Sequence, residues 1–268
     1  MKQNQQTKRW QVAQAVLGGL ALTSLGACSF AAQASGELGQ DQRTLSACPD
    51  ERMASYLSVD VTGSGWGDDE IVEGRKAVIA NLTRQTAICG GHLRVMAFTS
   101  SSAATVTLYD GELNLPGATD IARLRRVPGI VEEVTGEIAA AYDAVVTAPP
   151  PEGGSDIVAQ YRLAHEYADQ LGPGYTLELL ILTDGFQTTR TGVIDHALTP
   201  TEASDLAATV ALPELPGASV TVAGLGEVAG DPPTSDVVDG LVSFYDAICA
   251  RTGAETCLSV TDYAPSGW

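Results

Sequence analysis

The sequence predicts an α/β fold in which a doubly wound, mostly parallel sheet carries helices on both faces. Three observations predict it. Short, nearly continuous apolar runs such as Thr176–Thr183 (TLELLILT) read as strands buried on both sides. Stretches with apolar residues at helical spacing separate those runs, as in Asp68–Ile88 with Ile71, Val72, Ala77, Ile79 and Leu82. One pair of successive strands, His92–Thr99 and Ala104–Leu113, is joined by the hydroxyl-rich link Thr99-Ser100-Ser101-Ser102, compatible with a tight antiparallel turn at one sheet edge. Alternation of this kind indicates parallel strands connected through crossover helices.

Residues 1–27 read as a leader. A basic start ends at Lys8-Arg9, an apolar run covers about Val12 to Leu25, and Gly26-Ala27 precede Cys28. The run is shorter than the roughly 20 residues of a membrane span and has signal-peptide flanks. Leu25-Gly26-Ala27-Cys28 resembles the bacterial lipobox, which implies lipidation of Cys28 and a lipid anchor holding the chain to a membrane of the cell envelope, facing the periplasm or the exterior. Residues 28–49, rich in Ala, Gly, Gln and Ser, are expected to form a flexible tether, with one domain over 50–268.

Within that domain, Tyr56–Val61 is the first strand and Asp68–Ile88 the first helix. After the strand pair, a helical pattern covers about 119–146, broken at Pro128, and Pro149-Pro150-Pro151 stops it. A helix is expected from Ser155 to about Leu171, then the apolar strand 176–183. Thr199-Pro200-Thr201-Glu202 has the form of a helix start with a threonine cap and a glutamate at the third position. Ser219–Leu225 is a further strand, Ser235–Ala250 a helix and Cys257–Thr261 the last strand.

Composition narrows the function classes. Acidic residues number 33 against 15 lysines and arginines, a formal net charge of −18, and three of those bases lie in the leader. A field of that sign disfavours nucleic acid and anionic lipid surfaces. Apart from Cys28, the cysteines are Cys48, Cys89, Cys249 and Cys257, an even number in a chain expected to be exported. Zinc spacing is lacking, so two disulfides are expected. Of the three pairings, 48–89 with 249–257 is favoured, since each joins positions near one strand end or one turn.

Three polar clusters fall where a doubly wound sheet presents ligands. They are Asp60-Val61-Thr62-Gly63-Ser64 after the first strand, Gly153-Gly154-Ser155-Asp156 before a helix, and Thr183-Asp184-Gly185 after the apolar strand. Positions 60, 62 and 64 alternate along an extended turn, so one carboxylate and two hydroxyls share a side. Such hard oxygen donors suit Mg²⁺.

In that order, Asp60-x-Thr62-x-Ser64, Ser155 and Asp184 resemble the metal-ion-dependent adhesion site of von Willebrand factor A domains. The resemblance covers about 55–262. It implies a Rossmann-like sheet of strand order 3-2-1-4-5-6 with Asp60 and Asp184 ending neighbouring strands at the topological switch point. It also implies a cation, Mg²⁺ or else Mn²⁺ or Ca²⁺, coordinated by Thr62 and Ser64, with Ser155 in the place of the family's threonine and Asp60 and Asp184 acting largely through water. The family leaves one coordination position for a carboxylate of a protein ligand, by which an acidic protein can bind an acidic partner. Asp68-Asp69 is better read as stabilising a helix start than as a second cation site. The histidines His92, His165 and His196 share no spacing, and Trp66 and Phe186 follow the first and third clusters.

A binding protein is therefore the favoured reading, with no enzymatic role. One alternative is a Mg²⁺-dependent phosphohydrolase of haloacid-dehalogenase type. It needs a second aspartate where Thr62 stands and a lysine near the phosphoryl group, whereas Lys76 lies mid-helix. The other alternative is a structural lipoprotein with the same fold and no metal.

Overall fold

In the computed structural model, which describes residues 36–62, 68–100, 105–146, 154–189, 192–194 and 196–263, strands and helices alternate as expected. The strands are β1 (Arg52–Asp60), β2 (Gly91–Phe98), β3 (Val106–Glu112), β4 (Tyr175–Leu182), β5 (Ser219–Ala223) and β6 (Thr256–Val260). The helices are α1 (Glu37–Ser46), α2 (Asp69–Cys89), α3 (Asp120–Leu124), α4 (Val127–Val146), α5 (Val158–Leu171), α6 (Pro200–Ala208) and α7 (Ser235–Thr252). The strands form one sheet of order β3-β2-β1-β4-β5-β6. The β2–β3 pair is antiparallel and the other four pairs are parallel.

The period of two along β1 divides the core. Ala54 and Tyr56 face a cluster containing Tyr161, Tyr167, Phe244 and Tyr245 from α5 and α7. Leu57 and Val59 face the opposite cluster, with Val78 and Leu82 of α2 and Val134 and Ile138 of α4. Each central strand is thus apolar on both sides, as a parallel sheet under two helical layers requires. Among the described residues no helix is long and apolar enough to cross a membrane.

Capping residues expected from sequence do that work. Asp68 accepts from Glu70 N at 2.9 Å and Ile71 N at 3.3 Å, so it starts α2. Thr199 and Glu202 form a reciprocal capping box with Pro200 in the first turn of α6. The disulfides are Cys48–Cys89 and Cys249–Cys257, with Cα atoms 5.4 and 5.9 Å apart.

Three local expectations need correction. Residues 37–46 of the expected tether are helix α1, although its sequence is polar. Its stability comes from tertiary contacts: Arg84 binds the buried Asp41 with Nε and Nη2 at 2.8 and 3.0 Å and Glu37 at 2.6 Å. Leu38 and Leu45 pack on Ile88, Leu124 and Val127, and Cys48 is tied to Cys89. The helical break falls ahead of Pro128, between Leu124 and Val127, because proline fits the first turn of a new helix, where its missing N–H has no partner to lose. Finally, α5 begins at Val158 rather than Ser155, for a reason that belongs to the site.

Candidate functional site

The register of the two central strands builds the site. Pairing of β1 with β4 runs from Arg52↔Tyr175 to Val59↔Leu182, so the next step brings Asp60 beside Thr183. Thr183 Oγ1 donates to Asp60 Oδ2 at 2.8 Å. The other carboxylate oxygen, Oδ1, accepts from Thr62 N at 3.0 Å and from Thr62 Oγ1 at 2.7 Å. Both oxygens of the buried Asp60 are therefore held, and its orientation is set before any ligand arrives.

Ser155 meets this pair from 93 positions away: its Oγ lies 3.1 Å from Thr62 Oγ1. The loop before α5 makes this approach possible. Ser155 N donates to Thr188 Oγ1 at 2.8 Å, and Ser155 O accepts from Thr189 Oγ1 at 3.1 Å. Gly154 has φ of 138°, and a Cβ there would lie 2.8 Å from Thr189 Cγ2, so the position demands glycine. Ser155 does not cap α5. That acceptor is Gln187 Oε1, which receives Ile157 N at 2.8 Å and Val158 N at 3.2 Å. The serine hydroxyl is left to face Thr62.

Asp184 follows β4 at the same sheet end. Its Oδ1 accepts from Phe186 N at 3.0 Å, and its carbonyl accepts from Gly226 N at 2.9 Å. Gly185, with φ of 88°, turns the chain, and Tyr245 OH donates to its carbonyl at 2.9 Å. Phe186 is partly buried and packs on the core. Thus Asp60, Thr62 and Ser155 are in contact, and Asp184 stands at the end of the adjacent strand. Ser64, Trp66 and Cys28 lie outside the described residues.

These groups are all oxygen donors, and the donor set fits a hard cation such as Mg²⁺. Among the described residues no group of three or more His, Cys, Asp or Glu is placed to hold a metal, so any cation here must rely on hydroxyls as well as carboxylates. The histidines stand apart: His92 Nδ1 lies 3.1 Å from Tyr167 OH, and His165 lies 3.5 Å from Asp169 on α5.

Two of the solved structures to which this chain is similar are a pilus adhesin and a matrix protein. The first, SpaC from Lactobacillus rhamnosus GG in its open conformation, has a TM-score of 0.45 at 12% identity, over 80% of this chain and 28% of that one. The second, proximal thread matrix protein 1 from the mussel byssus, has a TM-score of 0.38 at 12% identity, over 81% of this chain and 44% of that one. The match spans less than half the length of either. No protein-family model matches the chain, and no curated protein matches it.

Sequence reasoning missed three supporting residues. Thr183, within the third cluster, fixes Asp60. Gln187 is fully buried and organises the loop that carries Ser155. Arg75, also buried, donates through Nη1 to the Asp60 carbonyl at 2.9 Å and through Nε and Nη2 to Tyr263 OH at 3.3 and 3.2 Å. Its position on the inner face of α2, one turn from Ile71 and Val78, was the available signal. On that side of the site, Asp68, Glu70, Glu227 and Asp262 line a cavity of about 390 Å³. Burial, then the charges of Asp262, Glu70 and Asp68, push the Glu227 carboxyl above its ordinary range.

Proposed function

We propose that this chain is an extracytoplasmic binding protein, anchored through lipid at Cys28, that engages a protein ligand through a divalent cation. Asp60, Thr62 and Ser155, with Asp184 and Ser64, would hold Mg²⁺, or else Mn²⁺ or Ca²⁺. When bound, the cation supplies a coordination position that a ligand carboxylate can fill. The chain's own residues prepare that position. Thr183 and Thr62 orient the Asp60 carboxylate, Gln187 and Thr188 hold the Ser155 loop, and Arg75 steadies the Asp60 backbone.

One observation carries the reading: two hydroxyls 93 residues apart meet at 3.1 Å beside a buried carboxylate that one of them touches. The sequence resemblance to the von Willebrand factor A adhesion site supports it, as does the position of Asp60 at the end of β1 and of Asp184 just after the adjacent β4. The phosphohydrolase alternative is less well supported. Lys76 is on the exposed side of α2, paired with Glu73 at 2.8 Å, and position 62 lacks the second acid.

Calorimetric titration with Mg²⁺ and Mn²⁺ tests the proposal, comparing the wild type with Asp60→Asn and Ser155→Ala. One saturable site is expected, weakened tenfold or more in either variant while the circular dichroism stays unchanged. Failure of the wild type to bind either ion at millimolar concentration would defeat the proposal. Metal-dependent phosphatase turnover would instead favour the alternative.

A further inference from the structure

Between α2 and α4, on the sheet face opposite α5 and α7, lies a groove of about 490 Å³. Ala77 and Ala80 of α2 and Gly136 and Ala139 of α4 line it, beside the buried Ile79 and Ile138. Gly136 is the groove residue whose missing side chain the fold does not explain. Glycine within a helix is destabilising relative to alanine. Two other helical glycines have an internal reason. A Cβ on Gly74 would lie 3.3 Å from the Tyr263 side chain, and one on Gly240 would lie 2.8 Å from the Leu198 backbone. A Cβ on Gly136 would meet nothing within 4 Å, nor would one on Gly129, seven residues earlier and so on nearly the same face of α4. What Gly136 provides is room for a group from outside to reach the helix.

The rim sets the sign of that group. Glu73, Glu132 and Asp143 edge the groove; its two bases are the exposed Lys76, which is paired with Glu73, and Arg75, which is buried. Helix α4 carries Glu132, Glu133, Glu137 and Asp143 and no lysine or arginine. A second copy of a chain with net charge −18 would set acid against acid, and an anionic membrane would be repelled.

We propose that this groove docks a basic amphipathic helix of a partner protein. Its apolar side chains would lie over Ala77, Ala80, Gly136 and Ala139, and its lysines or arginines would meet Glu73, Glu132 and Asp143. Small groove residues let two helices approach closely, and the flanking charges set partner and register. The docking does not depend on the cation site.

The test is fluorescence anisotropy of a labelled 18-residue Leu/Lys amphipathic helical peptide against the full chain. Saturable one-to-one binding is expected, weakened tenfold or more by Gly136→Leu, by Glu132→Lys and by raised salt. Gly136→Ala should raise the melting temperature, confirming that the fold itself does not need the glycine. Peptide binding that does not saturate, or that Gly136→Leu leaves unchanged, overturns the proposal. So does destabilisation by Gly136→Ala, or self-association that Gly136→Leu abolishes.

Discussion

Thr183 Oγ1 donates a 2.8 Å hydrogen bond to Asp60 Oδ2, joining the ends of β4 and β1 across 123 positions of sequence. The same oxygen accepts from Gly185 N at 3.1 Å, so one hydroxyl serves both the carboxylate and the turn that carries Asp184. Thr183→Val keeps the shape and removes both bonds, leaving a buried carboxylate oxygen short of a donor. The expected cost is about 1–3 kcal/mol in urea denaturation. Cation affinity should fall as well, because Asp60 loses its fixed orientation. Wild-type stability in this variant would show that the bond contributes nothing.

Gln187 is the second structural pivot. Its Oε1 caps the first turn of α5 through Ile157 N and Val158 N, while Nε2 donates to Thr189 O at 2.5 Å. Gln187→Leu strands one buried and one partly buried N–H group and a partly buried carbonyl, with an expected cost of about 2 kcal/mol. Hydrogen exchange should quicken at Ile157 and Val158 while the strand amides of β1 keep their protection. Unchanged exchange at both positions would mean that another group caps the helix.

Much of this was legible because it is local or periodic. The two-residue alternation of β1 and the near-continuous apolar run of β4 specify a two-faced sheet, and Asp68 and Thr199 announce their helices within four residues. The convergence of Thr62 with Ser155 follows from strand order, which puts the C-terminal ends of β1 and β4 together. Gln187, Arg75 and helix α1 were not legible for one physical reason. Each is held by partners that the fold supplies from elsewhere: Gln187 by amides 29 and 30 residues back, and α1 by Arg84 and Cys89. In ELGQDQRTLS only Leu38 and Leu45, seven positions apart, mark the docking face, and the partner of Asp41 is an arginine of another helix.

The two disulfides should differ in worth. Cys48–Cys89 closes a separation of 41 residues and Cys249–Cys257 one of 8. Loop-closure entropy then predicts losses of about 4 and about 2.5 kcal/mol for the paired serine replacements. Cys48→Ser with Cys89→Ser should also free α1, detected as faster proteolysis near residues 37–46, whereas the other pair should leave that region protected. Equal losses, or protection of α1 in the first variant, would place its hold in the Arg84 bridges instead.

Glu178 gives the chain a pH dependence of its own. It sits on β4 opposite Ser219 of β5 and lines a cavity with Asn81, Arg84 and Gln85 of α2. Burial pushes its carboxyl from the ordinary 4.5 up to about 7, against a smaller opposing effect of the Ser219 hydrogen bond. Below pH 4.5 the group is protonated in both folded and unfolded states, and it contributes no penalty. As pH rises to 7, the unfolded chain releases the proton first, so stability falls by at most about 3 kcal/mol and is then level. Glu178→Gln removes a group that must ionise without changing its shape. The stability difference between variant and wild type, measured by urea denaturation, should therefore grow from pH 4.5 to 7 and stay constant above it. A difference that shrinks over that range would mean the folded chain stabilises the ionised carboxylate, with Ser219 outweighing burial.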